Sequence, residues 1–221
     1  MNKKLNAAKK AIEFVKDGMT LGLGTGSTVE IFIEELSKKI RTGLNIKCIS
    51  TSDRTTKYAN KFGIIINEFD SVSKIDLTID GADEVDPYLR GIKGGGGALL
   101  YEKIVAYNSE KNIWIVDDSK LVNKLGNFPL PVEVIPFAAR KLLLKFESMK
   151  LNPTIRKSEN KNFITDSGNF IIDCKIGEIE NPKDFEKELK MIPGVVEVGL
   201  FIDIADYVII GYNDRTEVLE K

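Results

Sequence analysis

The chain has 221 residues, enough for one large domain or for one domain with a smaller appendage. Its 32 basic and 33 acidic side chains nearly cancel, so it lacks the positive field that attracts DNA or RNA, and we expect no nucleic-acid partner. The sequence contains no histidine, which excludes imidazole bases, Ser–His and Cys–His nucleophiles, and the most common metal ligand. Proton transfer must therefore use carboxylates, lysines or tyrosines.

The two cysteines, Cys48 and Cys174, lie far apart and form no CxxC or Cys/His pattern. This spacing argues against a structural zinc site and against a secreted disulfide scaffold. The N-terminus lacks the continuous apolar core of a signal peptide, and no later segment approaches the length of a membrane span. We therefore expect a cytoplasmic protein that does not interact with a membrane.

The first half of the chain alternates helix and strand patterns. This alternation predicts a doubly wound, largely parallel, Rossmann-like α/β sheet. In chain order we predict a helix over 5–15, a strand over 19–23, a helix over 28–42, a strand over 46–50, a helix from 52 or 53, strands over 64–66 and 75–79, a helix over 98–107 and a strand over 113–116.

The pattern changes after the segment 128–131, which reads FPLP. A strand over 132–135, a helix over 137–149, a hairpin around 165–169, a helix over 182–191 and a strand over 195–201 predict a smaller α+β, ferredoxin-like domain. A last strand over 207–210 should rejoin the first sheet. We therefore assign 1–127 together with 202–221 to a Rossmann-like catalytic domain, and 128–201 to the smaller domain, a candidate for a subunit interface.

The first motif is the segment 22–28, GLGTGST, between a predicted strand and a predicted helix. At a helix N-terminus, unpaired backbone N–H groups and the helix dipole favour a phosphate, and glycines allow its close approach. The segment lacks the lysine of a nucleotide P-loop and the spacing of a dinucleotide fingerprint, so it suits a small phosphate ester. Glycine-rich turns also end many strands without binding a ligand, so this loop alone does not establish a site.

Two further motifs follow strands or open helices. The segment 80–84, DGADE, comes directly after an apolar strand, at the sheet edge where ligands bind, yet it is equally compatible with a solvated turn. The segment 93–103, KGGGGALLYEK, contains four consecutive glycines before a helix. Because glycine loses the most conformational freedom on folding, such a run indicates a backbone held against a ligand or at positive φ. Taken singly, Lys93 and Glu102 would be read as solvated surface charges. Their positions around this loop make them candidate functional residues.

A fourth segment, 116–120, reads VDDSK and again follows a strand. It brings carboxylates and Lys120 to the same predicted sheet edge, although Asp118 is also a plausible helix cap. The pattern by itself would not single out Lys120.

Together these loops resemble the type A ribose-5-phosphate isomerases, whose signatures look like GxGTGST, DGADE, KGGGxAL followed by EK, and FPLPVEV. All four stand in order here, at residues 22–28, 80–84, 93–103 and 128–134, and segments 192–196 and 198–201 also match. Two positions depart from the pattern: Gly97 stands where alanine is frequent, and Tyr101 where arginine is expected. The resemblance covers nearly the whole chain and implies a homodimer or homotetramer.

The resemblance implies a reversible aldose–ketose isomerisation of D-ribose 5-phosphate and D-ribulose 5-phosphate in the pentose phosphate pathway. It implies Glu102 as the proton acceptor. The chemistry of the reaction further leads us to expect that Lys93 stabilises negative oxygen, that Asp80 or Asp83 assists ring opening, and that no metal or other cofactor is required. The substrate contacts that the resemblance implies are Thr25, Gly26, Ser27, Thr28, Asp80, Gly81, Ala82, Asp83, Lys93, Gly94, Gly95, Gly96 and Lys120, with Lys4 as a weaker candidate.

Two other functions use the same architecture. A noncatalytic phosphosugar sensor would keep the phosphate loop but would not need Glu102 and Lys93 together, and such sensors usually carry a DNA-reading module. An acyl-transferring enzyme would use a glutamate as nucleophile, and the fold alone does not exclude it. Solvent-proton exchange into ribose 5-phosphate distinguishes an isomerase from the sensor, and a covalent acyl adduct on Glu102 would identify the transferase.

Overall fold

The computed structural model describes residues 2–221, which divide into two compact units. The first unit contains the chain up to Ala82 together with Tyr101–Leu121 and Asp203–Lys221. The second contains Asp83–Leu100 and Val122–Ile202. Among residues 2–221, no helix is both long enough and apolar enough to span a bilayer.

The first unit is built on a six-stranded sheet with the order β15-β14-β6-β3-β1-β2. Every neighbouring pair is parallel except β14 with β15, so the sheet is largely parallel, as predicted. The strands are β1 (Thr20–Leu23), β2 (Lys47–Ser50), β3 (Leu77–Asp80), β6 (Asn112–Asp117), β14 (Tyr207–Gly211) and β15 (Thr216–Glu220). The helices are α1 (Lys3–Ile12), α2 (Ser27–Arg41), α3 (Asp53–Lys61) and α4 (Leu99–Tyr107), the last of which begins in the second unit.

The apolar periodicity of these elements explains their packing. Strand β1 is buried along its whole length, as expected for a central parallel strand, and α2 buries the stripe Val29, Phe32, Ile33 and Leu36 in the same core. Ser52 caps α3 by accepting a hydrogen bond from the Thr55 N–H at 3.1 Å, so this helix starts where the sequence predicts.

The second unit contains a four-stranded antiparallel sheet with the order β12-β7-β11-β8. With helices α5 (Ala139–Ser148) and α6 (Pro182–Lys190), this gives the predicted βαββαβ, ferredoxin-like arrangement. Its strands are β7 (Leu130–Val134), β8 (Pro153–Ile155), β11 (Phe170–Cys174) and β12 (Val195–Val198). Short strands complete the unit: β4 (Glu84–Val85), β5 (Gly91–Ile92) and β13 (Leu200–Phe201) form one sheet, and β9 (Lys157–Ser158) and β10 (Lys161–Asn162) a hairpin.

Several element boundaries differ from the predictions. Residues 64–66 contribute only an isolated bridge between Ile66 and Cys48, because the segment is too short to extend the ladder. The predicted strand 195–201 divides into β12 and β13 at Gly199, whose carbonyl oxygen accepts from the Lys93 N–H. The predicted hairpin at 165–169 is a tight turn, and the ladder of the hairpin lies earlier, in β9 and β10.

The compact units also differ from the predicted domain boundaries. Residues 83–100 belong to the second unit, whereas the sequence placed them with the catalytic domain. The physical reason is the pairing of β5 with β13, which ties this segment to the smaller unit through backbone hydrogen bonds. A two-residue strand such as β5 carries too little periodicity to be recognised in the sequence.

We predict that neither cysteine reacts with a water-soluble disulfide reagent at pH 8 while the protein is folded. Cys48 and Cys174 are buried, and burial raises the pKa of each thiol to about 12, so almost no thiolate is available for attack. The measurement is thionitrobenzoate release before and after addition of guanidinium chloride. Both thiols should react only after unfolding, and rapid release from the folded protein would contradict the burial of these side chains.

Candidate active site

In the first unit, the loops that carry the sequence motifs leave the same edge of the sheet. Strands β2, β1, β3 and β6 are consecutive neighbours and run parallel, so their carboxyl ends lie together. The loops 24–28, 80–82 and 117–120 follow β1, β3 and β6 respectively. This is the edge at which open α/β sheets bind ligands, so the structure confirms the placement that the sequence predicts.

Asp80 fixes the loop that follows β1. The Asp80 side chain is 2 % exposed, and its Oδ1 accepts hydrogen bonds from the Thr25 N–H at 3.0 Å and the Gly81 N–H at 2.7 Å. A Cβ atom at residue 24 would collide with the Asp80 carboxylate, so only glycine allows this approach. Asp80 therefore has a structural duty in addition to any role toward a ligand.

The hydroxyl of Thr25 lies in a buried network of hydroxyl groups. Its Oγ1 lies 2.8 Å from Thr51 Oγ1, 2.7 Å from Ser52 Oγ and 3.1 Å from Thr55 Oγ1. Thr55 in turn donates to the Gly24 carbonyl oxygen at 2.8 Å. The Thr25 hydroxyl thus holds the loop onto the start of α3, and its N–H holds the loop onto Asp80 at the end of β3. The predicted contact of Thr25 with a substrate stays a prediction. The sequence patterns did not indicate this network, because serines and threonines after a strand usually act as ordinary caps.

The N-terminus of α2 presents backbone donors at this sheet edge. Gly26 is the N-cap residue at φ +132°, and no side chain caps the helix there. The N–H groups of the first turn, which includes Ser27 and Thr28, have no acceptor within a helix and are directed along its axis. The Lys4 Nζ donates to Ser27 Oγ at 2.8 Å, so a cation lies beside this turn.

Lys4 and Lys120 both lie close enough to Asp117 to influence its carboxylate. Burial acts to raise the pKa of Asp117, but hydrogen bonds from Ser119 and the charges of Lys120 and Lys4 outweigh it, and the net effect is a lowered pKa. Lys120 lies in a short 3-10 turn, Asp118–Lys120, directly after β6. The structure thus brings the two weakest predicted candidates, Lys4 and Lys120, to the surroundings of one carboxylate, and their contact with a substrate stays a prediction.

Glu102 is a buried carboxyl group in the first turn of α4, with 2 % of its surface exposed. Burial of a glutamate is unusual and costs free energy unless the environment stabilises one of its protonation states. The neighbouring Tyr101, where the resemblance predicts arginine, is exposed. The structure therefore distinguishes Glu102 from the solvated surface charge that its position alone would suggest.

In the second unit, Asp83 and the glycine loop, defined as residues 94–97, are joined by a hydrogen bond. The Gly95 N–H donates to Asp83 Oδ2 at 2.7 Å, and a Cβ atom at residue 95 would come too close to that carboxylate. Gly94 and Gly97 adopt φ values of +102° and +84°, which confirms that the loop needs positive φ. Gly96 is exposed. Gly81 and Ala82, which directly precede Asp83 in the sequence and belong to the first unit, are half-buried.

Lys93 is buried, with 3 % of its surface exposed. Its Nζ lies 5.2 Å from the centre of the Phe201 ring, and its backbone N–H donates to Gly199 at 2.9 Å. Lysine and glutamate side chains are normally exposed to solvent, so the burial of both Lys93 and Glu102 is unusual. Lys93 and Glu102 therefore remain candidate functional residues.

Glu84, the last acid of the DGADE motif, has a structural role. It is buried in the second unit and accepts hydrogen bonds from the Gly126 N–H at 2.7 Å and the Phe128 N–H at 2.6 Å. The carboxylate thereby fixes the segment that leads into β7. Within residues 2–221, no group of three or more Asp, Glu or Cys side chains is arranged to hold a metal ion.

The fold and these loops define an α/β protein of the class that binds small phosphate esters at the carboxyl edge of a parallel sheet. Residues 47–215 match the family model of ribose 5-phosphate isomerase A, also called phosphoriboisomerase A. A protein named ribose-5-phosphate isomerase A from Levilactobacillus brevis is 51 % identical over 213 residues, which are 96 % of this chain and 93 % of that protein. A protein of the same name from Streptococcus gordonii is 49 % identical over 220 residues, covering 99 % and 98 % of the two chains.

Solved structures give the same result. A D-ribose-5-phosphate isomerase in complex with phospho-erythronic acid has a TM-score of 0.96 and 44 % identity, with 100 % of both chains covered. The ribose 5-phosphate isomerase A of Methanocaldococcus jannaschii has a TM-score of 0.93 and 43 % identity, with 99 % and 98 % covered. The chain belongs to the ribose 5-phosphate isomerase A family.

We predict that Gly97→Ala and Phe163→Ala are coupled in their effects on stability. A Cβ atom at residue 97 would overlap the Phe163 ring, and φ +84° adds strain of about 1–2 kcal/mol for any residue with a Cβ. Removing the ring eliminates the overlap but not the strain, so Gly97→Ala should cost less in the Phe163→Ala background. Urea unfolding of the two single variants and the double variant measures the difference, and we expect a coupling of about 1 kcal/mol or more.

The same cycle contains its own control, because Phe163→Ala alone reports the loss of ring packing. Costs that add within about 0.3 kcal/mol would show that the ring and residue 97 do not compete for space. In that case the departure from alanine at position 97 would have no connection with Phe163.

Proposed function

We propose that this protein interconverts D-ribose 5-phosphate and D-ribulose 5-phosphate. The observation that carries the proposal is the buried carboxyl group of Glu102, held in the first turn of the helix that follows the glycine loop. The identity of the substrate is inferred from relatives named ribose-5-phosphate isomerase A, which align with 96 and 99 % of the chain. The sensor alternative is not favoured, because these full-length relatives carry the name of an isomerase and not of a regulator.

The reaction moves one proton between adjacent carbons in two transfers, and a second proton between the oxygens that those carbons carry. A base removes the proton from C2 of the open-chain aldose, and the electron pair moves into the C1 carbonyl to give an enediolate. Return of the proton to C1, with loss of the O2–H proton and protonation of O1 so that the carbonyl is re-formed at C2, gives the ketose. A single carboxylate serves for both transfers, and Glu102 is the group that we assign to this task.

Charge that develops on oxygen in the enediolate needs donors that are already in place. We assign this stabilisation to the Lys93 ammonium and to backbone N–H groups of the glycine loop. The burial of Lys93 supports the assignment, because a charge of this kind acts most strongly where water is excluded. Neither contribution requires a metal ion.

Opening of the furanose ring requires proton transfer to the ring oxygen and from the C1 hydroxyl. The sequence left this assistance to Asp80 or Asp83. We assign it to Asp83, because the Asp80 carboxylate already holds the backbone of Thr25 and Gly81, whereas Asp83 is half-buried and bonded to the glycine loop through Oδ2. Gly81 and Ala82 would then contact the sugar hydroxyls through their backbone.

The phosphate group is assigned to the first turn of α2. Backbone N–H groups of Gly26, Ser27 and Thr28 and the positive end of the helix dipole favour an anion there. Lys4 and Lys120, which both act on Asp117, supply compensating cations. A relative has been solved with phospho-erythronic acid, a ligand that carries both a phosphate and a carboxylate, and this supports a phosphosugar as substrate.

A cytoplasmic location and a homodimeric or homotetrameric state belong to the same proposal. The two free, buried cysteines are compatible with a reducing compartment. Size-exclusion chromatography with light scattering measures the oligomeric state directly.

We predict that the purified protein converts ribose 5-phosphate to ribulose 5-phosphate in the presence of a metal chelator, and that Glu102→Gln removes this activity. Glutamine keeps the size of the side chain but cannot accept a carbon-bound proton, so kcat should fall by about 100-fold or more. The measurement is a coupled assay for ribulose 5-phosphate. Incorporation of solvent deuterium into recovered ribose 5-phosphate reports proton transfer independently, and a protein that only binds the sugar cannot produce it.

The matched control is Glu110→Gln, a change of the same kind at an exposed residue of the same unit. It should leave kcat unchanged. A folded Glu102→Gln variant that loses less than about tenfold, or ~1.4 kcal/mol of barrier, excludes Glu102 as the base. Loss of activity on chelation would count against a reaction that uses only carboxylates, Lys93 and backbone N–H groups.

A further inference from the structure

The glycine loop rests on the face of the four-stranded sheet that is opposite the apolar core of the second unit. Leu130, Val132 and Val134 of β7 point into that core, and Pro131 and Glu133, which alternate with them, point to the other face. A Cβ atom at Gly94 would lie 3.2 Å from Pro131 Cγ, so the loop backbone contacts this face directly. Glycine supplies no side chain to fix its own backbone, so the surrounding face must do so.

Arg156, at the end of β8, binds this loop through its guanidinium group. Its Nη1 donates to the carbonyl oxygens of Gly94 at 2.8 Å and Gly95 at 3.2 Å. Its Nε and Nη2 donate to the two oxygens of Asp173 on β11, at 2.9 and 2.5 Å. All three guanidinium nitrogens are therefore engaged within the second unit.

The two carbonyls that Arg156 holds belong to the peptides that carry the Gly95 and Gly96 N–H groups. Because a trans peptide is planar, its N–H points opposite to its C=O, and fixing one fixes the other. The Gly95 N–H does point away from the arginine, to Asp83 Oδ2 at 2.7 Å. A cation on the carbonyl also polarises the peptide and strengthens its N–H as a donor.

We propose that Arg156, oriented by Asp173, is a positioning residue for the isomerisation. It fixes and polarises the Gly94–Gly95 and Gly95–Gly96 peptides, so that their N–H groups hold Asp83 and the negative oxygen of the substrate in the reactive geometry. Arg156 acts through the loop and does not contact the substrate. The inference rests on the proposed isomerase function. It adds to the site a residue that lies 62 positions after Gly94 and 61 positions after Gly95 in the sequence.

Loss of an ion pair that has only a structural role should have a different effect. Arg90 and Asp86 form such a pair in the same unit: Arg90 Nε donates to Asp86 Oδ2 at 2.6 Å. The described contacts of Arg90 do not include the glycine loop. Loss of either arginine should lower stability, but only loss of Arg156 should change the rate of the chemical step.

The test compares kcat and KM of Arg156→Ala, Arg156→Lys and Asp173→Asn with the wild type and with Arg90→Ala. Lysine offers a single donor centre and cannot bridge a carboxylate and two carbonyls, so it should not replace arginine. We expect kcat to fall by about 10- to 100-fold in both Arg156 variants, by less in Asp173→Asn, and KM to change less than about threefold. Arg90→Ala should keep kcat within about twofold of the wild type.

Methylguanidinium added to Arg156→Ala should restore part of kcat, because the group replaced is the one that holds the carbonyls. If that variant does not fold, Arg156→Lys and Asp173→Asn decide the question. A loss of less than about fivefold in the folded Arg156 variants, or a loss found mainly in KM, overturns the inference. An inactive wild-type protein would instead refute the proposed function, so the two failures are distinguishable.

Discussion

A run of glycines cannot fix its own conformation, and the candidate site depends on how the rest of the second unit does this for it. Glycine has no side chain with which to pack or bond, and it loses more conformational freedom on folding than any other residue. The structure compensates with contacts from outside the loop: Pro131 beneath Gly94, the Phe163 ring against Gly97, and carbonyl hydrogen bonds from Arg156. A backbone that is held in advance donates to a developing charge without reorganising during the reaction.

The loop after β1 follows the same principle with different chemistry. There the glycines allow close approach, and buried polar groups supply the rigidity: the Asp80 carboxylate binds two N–H groups, and the Thr25 hydroxyl joins three others. Side chains that the sequence suggests are catalytic thus bind backbone groups. Glu84 is another example, since its carboxylate accepts hydrogen bonds from two backbone N–H groups. The carboxylates near the motifs therefore differ in duty, and proton transfer is the role that we propose for the buried Glu102.

Much of this arrangement is predictable from the sequence, for identifiable reasons. Apolar runs and helical spacing locate the parallel sheet, and a glycine-rich turn between strand and helix locates the loop 24–28, to which we assign the phosphate, because each pattern has a direct physical cause. Resemblance to a family adds the identity of Lys120, which the pattern alone would not select. The division into units is less accessible: the pairing of β5 with β13 joins residues about a hundred positions apart through two-residue strands, and such strands carry almost no periodic signal.

Arg156 illustrates the same limit at the level of a single side chain. In the sequence it is one charged residue between a short strand and a hairpin, and nothing in its neighbours separates it from a solvated surface arginine. Its significance arises from pairings that only the folded sheet creates: Asp173 lies opposite Pro131 across β7 and β11, and Arg156 bonds Asp173 from the other side. The side chains of three strands therefore form one surface beneath the glycine loop. A residue that acts by positioning the backbone of another segment belongs to no sequence motif. It is found in the structure, from its hydrogen bonds to the residues of a motif.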